Sequence, residues 1–465
     1  MWISPLRRRT PDRRHGGMAS AHGQPMASIR LCTSMLSLLP LLFGGCAAAE
    51  VDPSATSDQA VTSDAGVLVP ETARTASVVL ANPDGFAGTN QLHYRFLKGL
   101  FADGALGDVK VRYVSPFAFG DLASEARAAD GDRITARFSA RFRTELESGR
   151  VTSIDASIDS PWARDFFPML ARDARGKLRA VRFAYSNTPA AGPEAETVAK
   201  NLGYEVETSD LILEGGNVMV DDEKTLFTTT KVLKKNPGKS KEQIEAELRR
   251  VLGVTSVEWL EPLPQESTGH VDIFAKIVGK KRVIVSSSDF ACGDESSAGC
   301  RPRQPVLDAA AKAFERRGYT VTRIKNAEVE DDAKALTYAN SLLVNGTAFV
   351  PEYFDPSVAD SVDFMEGETP IRTMKAECAT LHPFGATEDA AYEAVKQRAA
   401  CLLRRVVAAR PDETKFQKTS LDVMPRDAEA RAAYARLGYR VVSIPGANMI
   451  QLGGSVHCLS MQLAK

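Results

Sequence analysis

The sequence predicts an α/β fold of five repeated strand–helix units set about a common axis, and three observations predict it. Leu202-Gly203-Tyr204-Glu205-Val206, Arg317-Gly318-Tyr319-Thr320-Val321 and Leu437-Gly438-Tyr439-Arg440-Val441 share one pattern. In each, a charged amphipathic helix ends at glycine, passes through tyrosine and enters a strand. The tyrosines at 204, 319 and 439 are separated by 115 and 120 residues. Short segments rich in Gly, Asn or carboxylate recur between the units: Pro161 to Asp165, Glu214 to Asn217, Gly269 to Asp272, Tyr338 to Ser341 and Gly453 to Cys458. A chain of 465 residues that is 44% hydrophobic, 25% charged and 7% aromatic also has ample material for a packed core, which excludes collagen, coiled-coil and disordered classes. An open α/β sheet with coincidental Gly-Tyr turns is the competing arrangement.

The elements follow in order. The apolar stretch Leu36 to Phe43 is eight residues, far short of the roughly 20 that span a membrane. It has Arg30 and, further upstream, Arg7, Arg8, Arg9, Arg13 and Arg14 before it, and Phe43-Gly44-Gly45-Cys46-Ala47 at its end. Basic, then apolar, then small residues read as an export signal over residues 1–46. Cys46 after two glycines resembles a lipobox, so Cys46 is the expected lipidation site and the only expected membrane contact; plain secretion is the alternative. Translation from Met18 or Met26 is equally compatible. Residues 47–76, rich in Ala, Ser, Thr, Asp and Pro without apolar periodicity, read as a flexible linker, and one large domain is expected over 77–465.

Two weaker copies of the unit complete the five. Ser240 to Leu252 carries Ile244, Leu248, Val251 and Leu252 at helical spacing and closes at Gly253 before a strand; Leu92 to Phe101 precedes Asp108 to Tyr113. Charge narrows the partners. Lys+Arg 58 against Asp+Glu 59 leaves no basic excess for nucleic acid. Without residues 1–46, which carry six Arg and one Asp, the chain has 52 basic and 58 acidic side chains, a net of −6 that weakly favours a cationic substrate.

Seven cysteines fit an oxidising compartment. Cys32 leaves with the signal, and Cys292, Cys300, Cys378 and Cys401 are candidates for two disulfides. Cys458 is left as a free thiol that calls for an explanation. Read as a strand start, Gly269-His270-Val271-Asp272 projects His270 and Asp272 to one side, where they serve as proton shuttle, metal-ligand pair or structural hydrogen bond. The strand rule turns His457 away from Cys458 and makes His270 the thiol's better partner. Metal is disfavoured because the paired Cys or helical His spacing of zinc sites is missing. Adding Asp165 and Glu214 gives three carboxylates, an imidazole and a thiol at matching places in successive units. Such a set favours a cation with several planar N–H donors, of which guanidinium is the obvious one.

Trp162-Ala163-Arg164-Asp165, Glu214-Gly215-Gly216-Asn217-Val218, Lys234 to Pro237 with Ser240 to Glu245, Gly269 to Asp272 and Gly453 to Cys458 together resemble the agmatine deiminase and bacterial peptidylarginine deiminase family. The resemblance runs from about Leu80 to the C-terminus with the motifs in matching order. It implies the pentein fold, a five-bladed α/β propeller. It also implies Cys458 as nucleophile, His270 as general acid/base, and Asp165 and Asp272 as guanidinium clamps. Glu214, Asn217, Trp162 and Asn340 are the implied substrate-binding residues, and no metal or organic cofactor is implied. The expected reaction is hydrolysis of a guanidinium group to a ureido product and ammonia, on a small guanidinium compound or an arginine-containing peptide. Two family markers of substrate choice, an Asn-Ala-Trp-Gly-Gly stretch and a Tyr-Asn-Arg-Pro-Arg stretch, are replaced by Tyr185-Ser186-Asn187-Thr188-Pro189-Ala190. A non-catalytic guanidine-binding lipoprotein, and an amidinotransferase or dimethylarginine hydrolase of the same fold, are the competing readings.

Overall fold

A computed structural model describes residues 66–81, 96–114, 144–156, 158–185, 191–290, 301–327, 335–364, 369–385, 388–411 and 414–465. Strands in chain order are β1 (Val67–Leu68), β2 (Thr75–Ala81), β3 (Lys110–Val114), β4 (Val151–Ile154), β5 (Met169–Arg172), β6 (Leu178–Ala184), β7 (Glu205–Ile212), β8 (Met219–Val220) and β9 (Thr225–Thr229). They continue with β10 (Ser256–Leu260), β11 (Ala275–Gly279), β12 (Arg282–Ser287), β13 (Thr320–Lys325), β14 (Leu342–Val344), β15 (Thr347–Glu352), β16 (Arg440–Pro445) and β17 (Ser460–Ala464). The longer helices are α1 (Ala191–Asn201), α2 (Lys241–Leu252), α3 (Gln304–Arg316), α4 (Thr369–Leu381), α5 (Glu388–Ala409) and α6 (Lys415–Arg436).

The described strands form five separate sheets, ordered β1-β5-β6-β7, β10-β9-β8, β11-β12-β13, β14-β15-β16 and β17-β2-β3-β4. One pairing scheme recurs in all five. An antiparallel pair (β5/β6, β8/β9, β11/β12, β14/β15, β17/β2) is extended by a parallel partner (β7, β10, β13, β16, β3). A parallel partner needs a crossover, and α1, α2, α3 and α6 each end just before one. The mixed α/β fold and its fivefold repetition of strand pairing follow the sequence expectation. No described sheet closes on itself.

The recurring Gly-Tyr has a physical cause. Gly203, Gly318 and Gly438 adopt φ of +92°, +79° and +93°, the left-handed region that ends a helix at little cost only in glycine. The tyrosine that follows then reaches the preceding sheet: the Tyr319 hydroxyl donates to Asp221 (2.7 Å) and the Tyr439 hydroxyl to the Val278 carbonyl (2.8 Å). The weaker copy at α2 uses a capping box, Ser240 Oγ accepting from Gln243 N and Gln243 Oε1 from Ser240 N, and also closes on left-handed Gly253.

The domain boundary needs correction. Residues 66–76, expected as linker, carry β1, which pairs antiparallel with β5 (Val67 opposite Arg172), and β2 begins at Thr75. A two-residue strand is too short to leave a periodic signal in sequence. Cys378 and Cys401 are joined by a disulfide linking α4 to α5. Cys46, Cys292 and Cys300 lie outside the described residues.

Candidate active site

Each chemistry-bearing segment occupies the same station of its unit, the turn immediately before the first-named strand of the antiparallel pair. Ala163–Phe166 precedes β5, Gly215–Asn217 precedes β8, Val271–Ile273 precedes β11, residues 338–341 precede β14 and residues 453–458 precede β17. His270 and Asp272 therefore do not sit on a strand as expected. Val271–Ile273 is a single 3₁₀ turn, His270 is its extended N-cap residue, and the strand starts at Ala275. The turn nevertheless aims both side chains at one point. A β-carbon on Gly216 would stand 2.6 Å from His270 Nδ1, 2.8 Å from Asp165 Oδ1 and 3.1 Å from Asp272 Oδ2. Three functional groups from two other units thus pack against Gly216 more closely than any side chain at that position would allow.

The contacts complete the arrangement. Asp165 Oδ1 accepts from Gly216 N (3.0 Å) and faces His270 Nδ1 at 3.6 Å, while His270 Nε2 faces Glu214 Oε2 at 3.6 Å. Glu214 is held on its other oxygen by Lys235. Cys458 is 2% exposed, and its Sγ lies 3.3 Å from Asn340 Nδ2 and 3.9 Å from Asp272 Oδ2. The fully buried Asn340 also fixes the main chain around the thiol, its Oδ1 accepting from His457 N (3.1 Å) and Cys458 N (3.3 Å). Asn217, expected to meet substrate, braces the site: its Oδ1 accepts from Thr229 N and Val271 N, both at 3.1 Å, stitching one turn to the next. Trp162 packs its ring against Gly454, so close that a β-carbon there would be 2.3 Å from it.

Burial among carboxylates sets the proton affinities. For His270, burial works against the charged ring, but Asp165, Glu214 and Asp272 outweigh it and push the imidazole up to about 9. Burial raises Asp165 to about 6, aided by Asp272 and Glu214 and opposed by His270. Glu214 also feels burial, yet the hydrogen bond and charge of His270, with Lys235, bring it down to about 2. Burial, then Asp272 and Asp165, drive the Cys458 thiol well above its ordinary value. At neutral pH the site holds a thiol and an imidazolium beside the ionised Asp165 and Glu214, an arrangement chemically suited to receiving a planar cation and donating a proton. Among the described residues no group of His, Cys, Asp or Glu is set to hold a metal ion.

Sequence reasoning missed part of the site. His457 does not turn away as strand alternation requires, because residues 456–459 form a turn rather than a strand. Its Nδ1 lies 2.7 Å from Asp272 Oδ2 and its Nε2 2.7 Å from Glu71 Oε1. Glu71 comes from the segment taken for linker and also bonds Lys276 Nζ (2.5 Å) and Arg164 Nη1 (3.1 Å). A lone lysine inside the apolar strand Ala275–Gly279 was the signal for Lys276; Glu71 left none.

Comparison with known proteins adds an independent line. Residues 122–377 match the profile of the Porphyromonas-type peptidyl-arginine deiminase family. The chain is 31% identical over 252 residues to an agmatine deiminase of Stutzerimonas stutzeri, covering 46% of this chain and 68% of that protein. It is 28% identical over 361 residues to an agmatine deiminase of Pseudomonas putida, covering 69% and 78%. Among solved structures, the C. jejuni agmatine deiminase superposes with a TM-score of 0.52 at 16% identity, covering 86% of this chain and 96% of that one. The Enterococcus faecalis agmatine deiminase gives 0.53 at 17% identity, with 86% and 96% covered. At such identities the structural likeness speaks for the fold alone.

Proposed function

Because the chain belongs to the Porphyromonas-type peptidyl-arginine deiminase family, we propose that it hydrolyses a guanidinium group to a ureido group and ammonia, with Cys458 as nucleophile. The observation that carries this reading is the convergence of His270, Asp165 and Asp272 on Gly216, packed closer than a side chain there would allow, with the Cys458 thiol 3.9 Å from Asp272. Guanidinium carbon is a poor electrophile, its charge being shared by three nitrogens. The reaction therefore needs a thiolate and close neutralisation of the substrate. Asp165 and Asp272 accept the substrate N–H groups. Binding the cation offsets the carboxylate charge that holds the proton on Cys458, so the substrate promotes its own attacking thiolate.

Attack forms the S–C bond. His270, charged at neutral pH, gives a proton to the departing nitrogen, the C–N bond breaks and ammonia leaves. A water then loses a proton to His270 and adds to the same carbon; the S–C bond breaks and the ureido product departs. Glu214 and Asp165 hold the imidazole in place through both steps. The five sheets with one pairing scheme support a five-bladed pentein arrangement about these turns. The basic, apolar and Cys46-terminated leader supports export and lipid anchoring, which favours an external guanidine over a cytosolic polyamine precursor.

A ureido-product assay across agmatine, free arginine, and peptides with internal or C-terminal arginine tests the reaction and names the substrate. Cys458→Ala is expected to abolish ammonia release while retaining the fold. Substantial turnover in that variant rejects the assignment.

A further inference from the structure

Asp272 uses its two oxygens differently. Oδ2 is tied to His457 Nδ1 at 2.7 Å, whereas Oδ1 is buried without a hydrogen-bond partner. A buried carboxylate oxygen left unpaired is costly unless something else supplies the donor. His457 is itself held from behind by Glu71, and Glu71 is anchored by two buried cations, Lys276 and Arg164. Each nitrogen of the His457 ring thus faces a carboxylate oxygen. Arg164 closes the loop, because its backbone N–H donates to the Cys458 carbonyl at 3.1 Å. The network thus runs from the segment before β2, through the histidine that adjoins the thiol, to the carboxylate beside the thiol.

We infer that Glu71 and His457 are positioning residues that lock the Asp272 carboxylate, tying one oxygen down and presenting the other to an N–H of the bound cation. Neither has to touch substrate. Resting on the guanidinium reading of the site, the inference adds a segment and a second histidine that the mechanism above does not use. The restraint is geometric: a carboxylate pinned on one oxygen loses rotational freedom about its terminal torsion before the cation arrives, so less ordering remains to be done at binding.

The test compares Cys458 alkylation by chloroacetamidine and by chloroacetamide in the full chain. The two share a leaving group and differ in whether the reagent is a planar cation. Wild type is expected to favour the cationic reagent by about a hundredfold or more, the worth of one or two charge-assisted hydrogen bonds. Glu71→Gln and Glu71→Ala are expected to lower that ratio about tenfold while the chloroacetamide rate stays within about threefold of wild type. A merely structural role lowers thermal stability or the folded fraction without moving the ratio, so folded variants with a ratio within about twofold of wild type overturn the inference. A wild-type ratio near one rejects the guanidinium reading itself and the inference with it. Should the Glu71 variants fail to fold, His457→Gln leaves Glu71 bonded to Lys276 and Arg164 and is judged by the same ratio.

Discussion

Cys458 Sγ lies 3.9 Å from Asp272 Oδ2, and this pair gives one carboxylate two opposed effects on the thiol. In the free enzyme, burial and then Asp272 and Asp165 hold the proton on sulfur. Once a guanidinium occupies the site, the same carboxylates are neutralised and the penalty on thiolate falls. Titrating thiolate absorbance, with Cys458→Ala as the blank, is expected to give a midpoint well above that of an ordinary cysteine. A saturating alkylguanidine should lower the midpoint by about one unit or more. An unmoved midpoint rejects substrate-assisted ionisation.

His270 predicts a pH dependence of stability. Its folded value of about 9 exceeds the ordinary 6.5, so its stabilisation is complete below about pH 6.5 and is lost as pH rises through 9. Asp165 at about 6 and Glu214 at about 2 change ionisation below this window. Between pH 6.5 and 9 the unfolding free energy of wild type should therefore fall relative to His270→Gln, by on the order of 3 kcal/mol across the window. Chemical denaturation of both proteins over that range measures it, and parallel curves would sink the assignment of a charged His270.

Asn340 holds Cys458 by its backbone and its sulfur at once. Asn340→Ala leaves two buried N–H groups without their acceptor and should lower kcat about 10- to 100-fold with a smaller change in KM. Asn340→Asp keeps an acceptor but sets another negative charge beside the thiol. Its alkylation by iodoacetamide at neutral pH should be slower than in Asn340→Ala; a faster rate contradicts the electrostatics described for Cys458.

The Cys378–Cys401 disulfide closes a loop of 23 residues in a core cluster that does not include Cys458. Loop-closure entropy predicts that replacing both cysteines by serine costs about 3 kcal/mol. Turnover at 25 °C should change less than twofold. A large activity loss in a folded double variant would mean that α4 and α5 shape the site.

Much of this was legible because the chain repeats itself. Gly203, Gly318 and Gly438 announce helix ends that only glycine makes cheaply, and the turns before β5, β8, β11, β14 and β17 recur in register with them. Repetition alone places Asp165, Glu214, His270, Asn340 and Cys458 at equivalent stations. Local geometry at those stations was not legible. The rule that alternate strand residues share a face misleads at Gly269–Asp272 and at His457-Cys458, because both are turns. In the first the error was harmless, since a 3₁₀ turn also brings His270 and Asp272 to one side. In the second it discarded His457. Glu71 was hidden for a different reason: its contacts at residues 164, 276 and 457 are all remote in sequence, and a polar residue in a Pro- and Thr-rich segment carries no periodicity.

That hidden contact makes the domain boundary a functional question. A chain starting at residue 77, where apolar periodicity first appears, retains Cys458, His270, Asp165 and Asp272 yet lacks Glu71 and β1. Its loss strips the carboxylate from Lys276 and Arg164, which are 1% and 3% exposed, and uncovers the edge of β5 that pairs with β1. A buried charge deprived of its partner costs about 3–5 kcal/mol. The chain starting at 77 should melt at a lower temperature than one starting at 66 and lose more than about tenfold in kcat/KM. Glu71→Ala in the longer chain separates the two causes, since it keeps β1 and removes only the carboxylate. If the chain starting at 77 matches the longer one in both stability and turnover, the segment before β2 is dispensable and the site is complete without Glu71.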